Sequence, residues 1–234
     1  MLFYSAPSMS LHDADRAALI AGGTGRIGRA IASRLLADNY SVLAAGRNDG
    51  DLRTRDGAHE LVRKALAELG RLDLVVHAAG AGFVPVRLED VTEELWDDAL
   101  DVTAKGTLFL AQAAAPALRE SHGCLVIVED VASFQPWASF PPHSAAKAAQ
   151  AMLTRVLARV LAPEVRVCGV APGPVAVEPD QEERRAAETL LGRVGSPHDV
   201  ADAIAYLANA SYVTGSTLVV DGGRMFKTGT TRFP

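Results

Sequence analysis

Cysteine is scarce: Cys124 and Cys168 are the only two in 234 residues, each inside an apolar stretch, which excludes both a disulfide framework and a zinc-ligand set. A reducing, cytoplasmic setting is expected. No apolar run approaches the ~20 residues of a membrane span. The basic residues are spread along a chain of net charge −5, without the stripe that nucleic-acid binding requires. Residues 1–15 carry no basic leader and no long apolar segment, so they are expected to form a loose N-terminal extension. His12, His59, His122 and His198 are scattered without metal-ligand spacing, and no metal site is expected. These absences leave a small-molecule protein as the expectation. Aromatics are few as well, 6% of the chain, so the grouping of Phe134, Trp137 and Phe140 stands out; it either lines a planar substrate site or packs a loop.

What is present is a hydrophobic content of 49% against 22% charged residues, suited to one compact domain over 16–234. Short runs rich in Val, Ile, Leu and Ala alternate with segments of helical period, the pattern of a parallel sheet covered on both faces. The expected strands are Ala17–Ala21, Ser41–Ala45, Leu74–Ala78, Leu125–Glu129, Val165–Val170 and Thr217–Val220. The expected helices are Ile27–Ala37, Asp56–Leu69, Glu93–Arg119, Pro142–Leu161 and Pro197–Ala208, the last with Ser196 as N-cap and Pro197 at the first helical position. About nine residues separate Ala45 from the next helical pattern, which suggests a helix missing there; Asp51, Leu52 and Arg53 form either a remnant strand or a loop.

Directly after the first strand stand Gly22, Gly23, Thr24, Gly25, Arg26, Ile27 and Gly28, and then a helix. Glycines let the main chain turn and approach a pyrophosphate, and the free N–H groups at a helix start favour negative charge. Arg26 adds a cation that reaches the pyrophosphate or a substrate, or else stays solvated. At the end of the second strand, where an NAD-specific protein has a carboxylate for the ribose 2′-hydroxyl, this chain has Gly46, Arg47 and Asn48. Arg47 attracts a 2′-phosphate, so NADPH is the expected cofactor. Asp51 and Leu52 complete the expected cofactor contacts of this segment.

From Ala18 to about Phe226 the chain resembles the short-chain dehydrogenase/reductase family. The segments that carry the resemblance, besides the glycine turn, are His77-Ala78-Ala79-Gly80, Pro172-Gly173-Pro174-Val175, Arg193 through Val200, and Val220-Asp221-Gly222-Gly223. The resemblance implies a Rossmann-type, doubly wound parallel sheet in a three-layer α/β/α domain. It also implies cofactor contacts at Ala78, Ala79, Gly80, Pro172, Gly173 and Val175. Arg26 in place of a glycine, and Asp130 at the usual serine position with Gln135 and Pro136 behind it, resemble the pteridine reductase branch, where such residues help hold a pterin.

The family's Tyr-x-x-x-Lys reads here as His143-Ser144-Ala145-Ala146-Lys147. The i, i+4 spacing puts His143 and Lys147 on one helix face. Reduction of a C=N or C=O bond needs a proton donor at the receiving atom, and His143 is the candidate; the plainer reading is an ordinary polar residue in a first helical turn. Asp130 is either part of a proton relay or a turn cap. Thr103 stands where the family has an asparagine that holds a relay water, and the resemblance gives Lys147 a contact to the nicotinamide ribose. Two functions follow: an NADPH-dependent reductase of a small planar, pterin-like substrate, or an NADP-binding, catalytically silent sensor or oligomer partner. The resemblance also implies a dimer or tetramer built on Glu93–Arg119 and Pro142–Leu161, and the tail from Arg224 to Pro234 is conjectured to close over a neighbouring site.

Overall fold

The structure, a computed structural model, describes residues 2–4 (main chain), 16–81 and 83–227. Six parallel strands run through the middle: β2 (Arg16–Ala21), β3 (Tyr40–Ala45), β4 (Leu74–His77), β5 (Cys124–Val128), β6 (Arg166–Pro172) and β7 (Thr217–Val220). A short β1 (Leu2–Tyr4) joins β3 antiparallel, giving the order β1-β3-β2-β4-β5-β6-β7. Successive residues of a strand face opposite sides, and here both sides are dry. Leu19 enters the cluster under α2 (Arg55–Leu69), α4 (Gly106–Ser121) and α5 (Pro141–Leu161), whereas Ile20 enters the one under α1 (Arg26–Ala37) and α7 (Pro197–Asn209). The fold is therefore a single domain with helices on both faces of a parallel sheet, as expected.

The sequence also predicts several boundaries well, because local chemistry sets them. Ser196 accepts from Asp199 N while Asp199 returns to Ser196 N, and Pro197 opens the helix. Thr54 caps α2, and Gly70 ends it in the left-handed conformation at φ 75°. In α6 (Glu182–Ala186) the structure adds a helix too short for a periodicity signal.

Three expectations need correction. The span Glu93–Arg119 is not one helix: α3 (Glu93–Leu100) passes through a π-helical turn, Asp101–Lys105, into α4. No helix is missing after Ala45, since α2 itself is the crossover from β3 to β4, and Asp51–Arg53 is a turn rather than a strand. The N-terminal extension is not loose throughout, because Leu2–Tyr4 pairs with Val42–Ala44; residues 5–15 lie outside the described residues, as does the tail beyond Lys227.

The chain runs from β2 to β3 on one side, then crosses back to β4 on the other. Such a reversal opens a crevice at the carboxyl ends of the strands, where open α/β sheets bind ligands.

Candidate active site

A cavity of about 270 Å³ occupies that crevice. Its first wall is the turn after β2, with Gly22, Thr24 and Gly25; the second is Gly46, Arg47, Asp51 and Leu52; the third is Ala78, Ala79 and Gly80, with Val102 beside them. At Gly22 and Gly28 the turn has no room for a side chain. Gly22 sits at φ +86°, and a Cβ there would lie 2.5 Å from Ala79 N; one on Gly28 would lie 2.3 Å from Gly22 O. Gly28 thus serves close packing of α1 on the turn and does not line the cavity. Gly25 has no side chain with which to cap α1, leaving the first turn of the helix to an anion. This cradle fits a pyrophosphate on geometry alone.

Several expected contacts stand elsewhere. Arg26 pairs with Glu178 at 2.9 Å, both side chains more than 60% exposed, and so bridges the rim instead of facing the cavity. Ile27 packs on the core. Arg47 is exposed on the cavity wall and Asn48 lies beside it, outside the lining. Asp51 is held in a bidentate pair by Arg53, at 3.0 and 2.8 Å, which lowers its pKa. Pro172 ends β6, Gly173 lets the chain pass against Asp221, and Val175 bridges to Gly195.

The expected catalytic residues do converge. Asp130 follows β5; its Oδ1 accepts from Ala132 N at 2.7 Å, and its Oδ2 lies 3.4 Å from His143 Nε2. Asp130 is thus a turn cap through one oxygen and faces His143 with the other. His143 is 18% exposed, and its Nε2 is buried without a hydrogen bond of good geometry. Phe83 meets His143 edge-on at 4.9 Å and stacks on Phe140 at 4.0 Å; Trp137 stands edge-on to both phenylalanines. A second cavity, of about 140 Å³, lies here between Phe140, His143, Thr103 and Val86.

The family model described as Enoyl-(Acyl carrier protein) reductase matches residues 34–224. The chain is 32% identical to Dehydrogenase/reductase SDR family member 4 of Homo sapiens, over 90% of this chain and 87% of that one. It belongs to the short-chain dehydrogenase/reductase family. A second relative, 2-dehydro-3-deoxy-D-gluconate 5-dehydrogenase of Escherichia coli, is 34% identical over 78% of each chain. A solved short-chain dehydrogenase/reductase from Brucella melitensis, titled a glucose/ribitol dehydrogenase, superposes with a TM-score of 0.79 at 27% identity, covering 92% of this chain and 99% of that one. Short-chain dehydrogenases/reductases are oxidoreductases that use nicotinamide dinucleotides, in agreement with the cradle.

Within this short-chain dehydrogenase/reductase, Lys147 is buried, and its Nζ donates to Val128 O at 2.8 Å and to Gln150 Oε1 at 2.9 Å. Burial lowers its pKa, against the opposing pull of Asp130 and Glu129. Beside it Glu129 is also buried, accepting from Thr154 and Thr217 at 2.6 and 3.0 Å, and its pKa is pushed up by desolvation. Sequence reasoning missed Gln150, Phe83 and Glu178, and quoted His77 only as part of the family turn without its contact to Gln150. Gln150 and His77 carried a signal: a glutamine and a histidine inside otherwise apolar helix and strand patterns are polar groups that must find partners in the core. Among the described residues no cluster could hold a metal ion and no helix is long and apolar enough to cross a membrane.

Proposed function

We propose that this chain is an NADPH-dependent reductase acting on the C=N or C=O bond of a small, planar, uncharged substrate, with pterins as the first class to test. The observation that carries the reading is the glycine-walled cavity with Arg47 at its rim. The turn at Gly22, Thr24 and Gly25 cradles the pyrophosphate beside the N–H groups at the start of α1, and Arg47, with Asn48, favours a 2′-phosphate by charge. Ala78, Ala79, Gly80, Asp51 and Leu52 hold the adenosine half, and Pro172, Gly173 and Val175 flank the nicotinamide. When bound, the nicotinamide supplies hydride.

This chain's own residues then handle the proton. His143 donates it to the receiving atom, Asp130 steadies the imidazole, and Thr103 lines the far side of the substrate pocket. The pocket's ionisable lining side chains are Asp98 and His143, with no lysine or arginine. An anionic substrate would be repelled, whereas a flat neutral ring gains from stacking beside Phe140. Arg26 is paired with Glu178 at the rim of the cofactor cavity. The protein works in the cytoplasm as a homo-oligomer, pairing through α4 and α5, whose outward faces carry Leu108, Met152, Val156 and Val160 exposed.

The silent, cofactor-binding reading draws on one observation, that two donors of Lys147 are already spent inside the core. One experiment separates the two. Isothermal titration with NADPH and NADH, followed by NADPH consumption with a dihydropterin, a quinone and a simple ketone, is run on the parent, Arg47→Ala and His143→Ala. Expected are tighter binding of NADPH by about tenfold, lost in Arg47→Ala, and turnover reduced at least ~100-fold in His143→Ala with NADPH affinity kept. Absence of affinity for either nucleotide removes the proposal; binding without turnover in the parent selects the silent reading.

A further inference from the structure

Behind the cleft, a polar seam crosses the core between α5, α4 and β4. Gln150, His77 and Thr107 are all buried, each exposed by 1% or less. The Gln150 amide lies at the centre: Oε1 accepts from Lys147 Nζ at 2.9 Å, and Nε2 donates to Thr107 Oγ1 at 2.9 Å and to His77 Nδ1 at 3.1 Å. Thr107 Oγ1 in turn donates to Thr103 O at 2.7 Å, inside the π-helical turn.

Donor and acceptor bookkeeping orients the amide one way, and it leaves His77 Nε2 buried without a hydrogen-bond partner. The hydroxyl hydrogen of Thr107 is committed to Thr103 O, so its oxygen faces Gln150 as an acceptor. His77 Nδ1 also faces an N–H and must be unprotonated, which makes His77 neutral with its hydrogen on Nε2. Both contacts require the nitrogen of the amide on their side, and therefore its oxygen toward Lys147. Burial and the Lys147 charge push the His77 pKa down to about 3, in keeping with that neutral form. A leucine at 150 would fill the space and leave an ammonium, a hydroxyl and an imidazole short of partners.

We infer that Gln150 is a positioning residue: its amide, oriented by His77 and Thr107, holds the Lys147 ammonium at the carboxyl end of β5 and ties it to the π-helical turn. The π turn is then part of the same device, since it presents the Thr103 carbonyl that fixes Thr107. The inference goes beyond the family assignment, which gives no role to positions 107 or 150, and it rests on the reading of Lys147 as a dinucleotide contact.

The test is a double-mutant cycle on NADPH affinity with Lys147→Met, Gln150→Met and the pair, joined to nitrogen-15 NMR of the histidines without nucleotide. Expected is a loss of about tenfold for Lys147→Met, most of it reproduced by Gln150→Met, with the double variant no weaker than Lys147→Met. Thr107→Val, which alters the seam with little change of volume, shows a smaller loss, about threefold, that vanishes in the Lys147→Met background. His77 shows the neutral Nε2–H signature in the parent, and Gln150→Met releases it to a tautomer mixture. Losses that multiply in the double variant, or an unchanged His77 signature in Gln150→Met, overturn the inference. Should Lys147→Met bind NADPH like the parent, the ribose contact falls, and the His77 signal alone decides whether Gln150 orients the lysine. If Gln150→Met does not fold, Thr107→Val carries both readouts.

Discussion

At the glycine turn the cleft wall is main chain packed so closely that a Cβ on Gly28 would sit 2.3 Å from Gly22 O, whereas around His143 the wall is side chain, with Phe83 lying against Phe140 and 46% exposed. The first region has one shape, because backbone has few alternatives and glycine alone fits it. The second has a shape that depends on where rings and loops settle, and its hold on the sheet is lighter: Val86 N donates to Ser139 O at 2.9 Å across two loops. A binding site for an invariant ligand can be built from main chain, and one for a variable ligand from replaceable side chains.

That contrast can be broken most severely at the turn. Gly28→Ala is expected to abolish measurable NADPH binding in a calorimetric titration and to lower the melting temperature, while Gly25→Ala, whose added Cβ would meet only Gly22 O at an ordinary 3.5 Å, stays within about threefold of the parent. Equal effects at the two positions would show that the wall is softer than its geometry.

The seam between the two regions offers the next test. His77 ionises in the folded chain only at about pH 3, against about 6.5 when unfolded. The unfolded chain therefore takes up a proton that the folded chain refuses. Stability contributed by neutral His77 is fully present above about pH 6.5 and is lost as pH falls toward 3, at a slope approaching ~1.4 kcal/mol per pH unit. Denaturant midpoints between pH 7 and pH 5 should fall more steeply in the parent than in His77→Asn; parallel slopes would mean that His77 is protonated in the fold.

The smallest effect is expected at the rim, where Arg26 and Glu178 join the turn to the segment after β6. Both are well exposed, so Glu178→Gln should change the NADPH dissociation rate by no more than about twofold, and less at high salt. A tenfold faster release in stopped-flow fluorescence would make the pair a clasp on the cofactor.

The sequence made the main-chain region legible and the side-chain region only in part, for reasons that are local in one case and tertiary in the other. Strand, glycine turn and helix are set by residues within one short window, so the cradle, the cap at Ser196 and the strand Thr217–Val220 were open to reading. The break at Asp101–Lys105 was not, because the apolar period runs on through it while the Thr107 and Gln150 partners lie across the core. Asp130 and His143, each singled out by its place in the family pattern, lie 3.4 Å apart, but the partners of Lys147 required knowing that position 150 meets position 77 in space. The partner of Arg26 was beyond reach of local reading, since Glu178 is 152 residues away.

The antiparallel pairing of Leu2–Tyr4 with Val42–Ala44 has a consequence outside the cleft. It caps a border of the sheet whose amides and carbonyls would otherwise stand bare to any extended peptide. Leu2–Tyr4 thereby act as a selvedge, and a molecule without them would present Tyr40–Ala45 as a template on which other chains could grow a sheet.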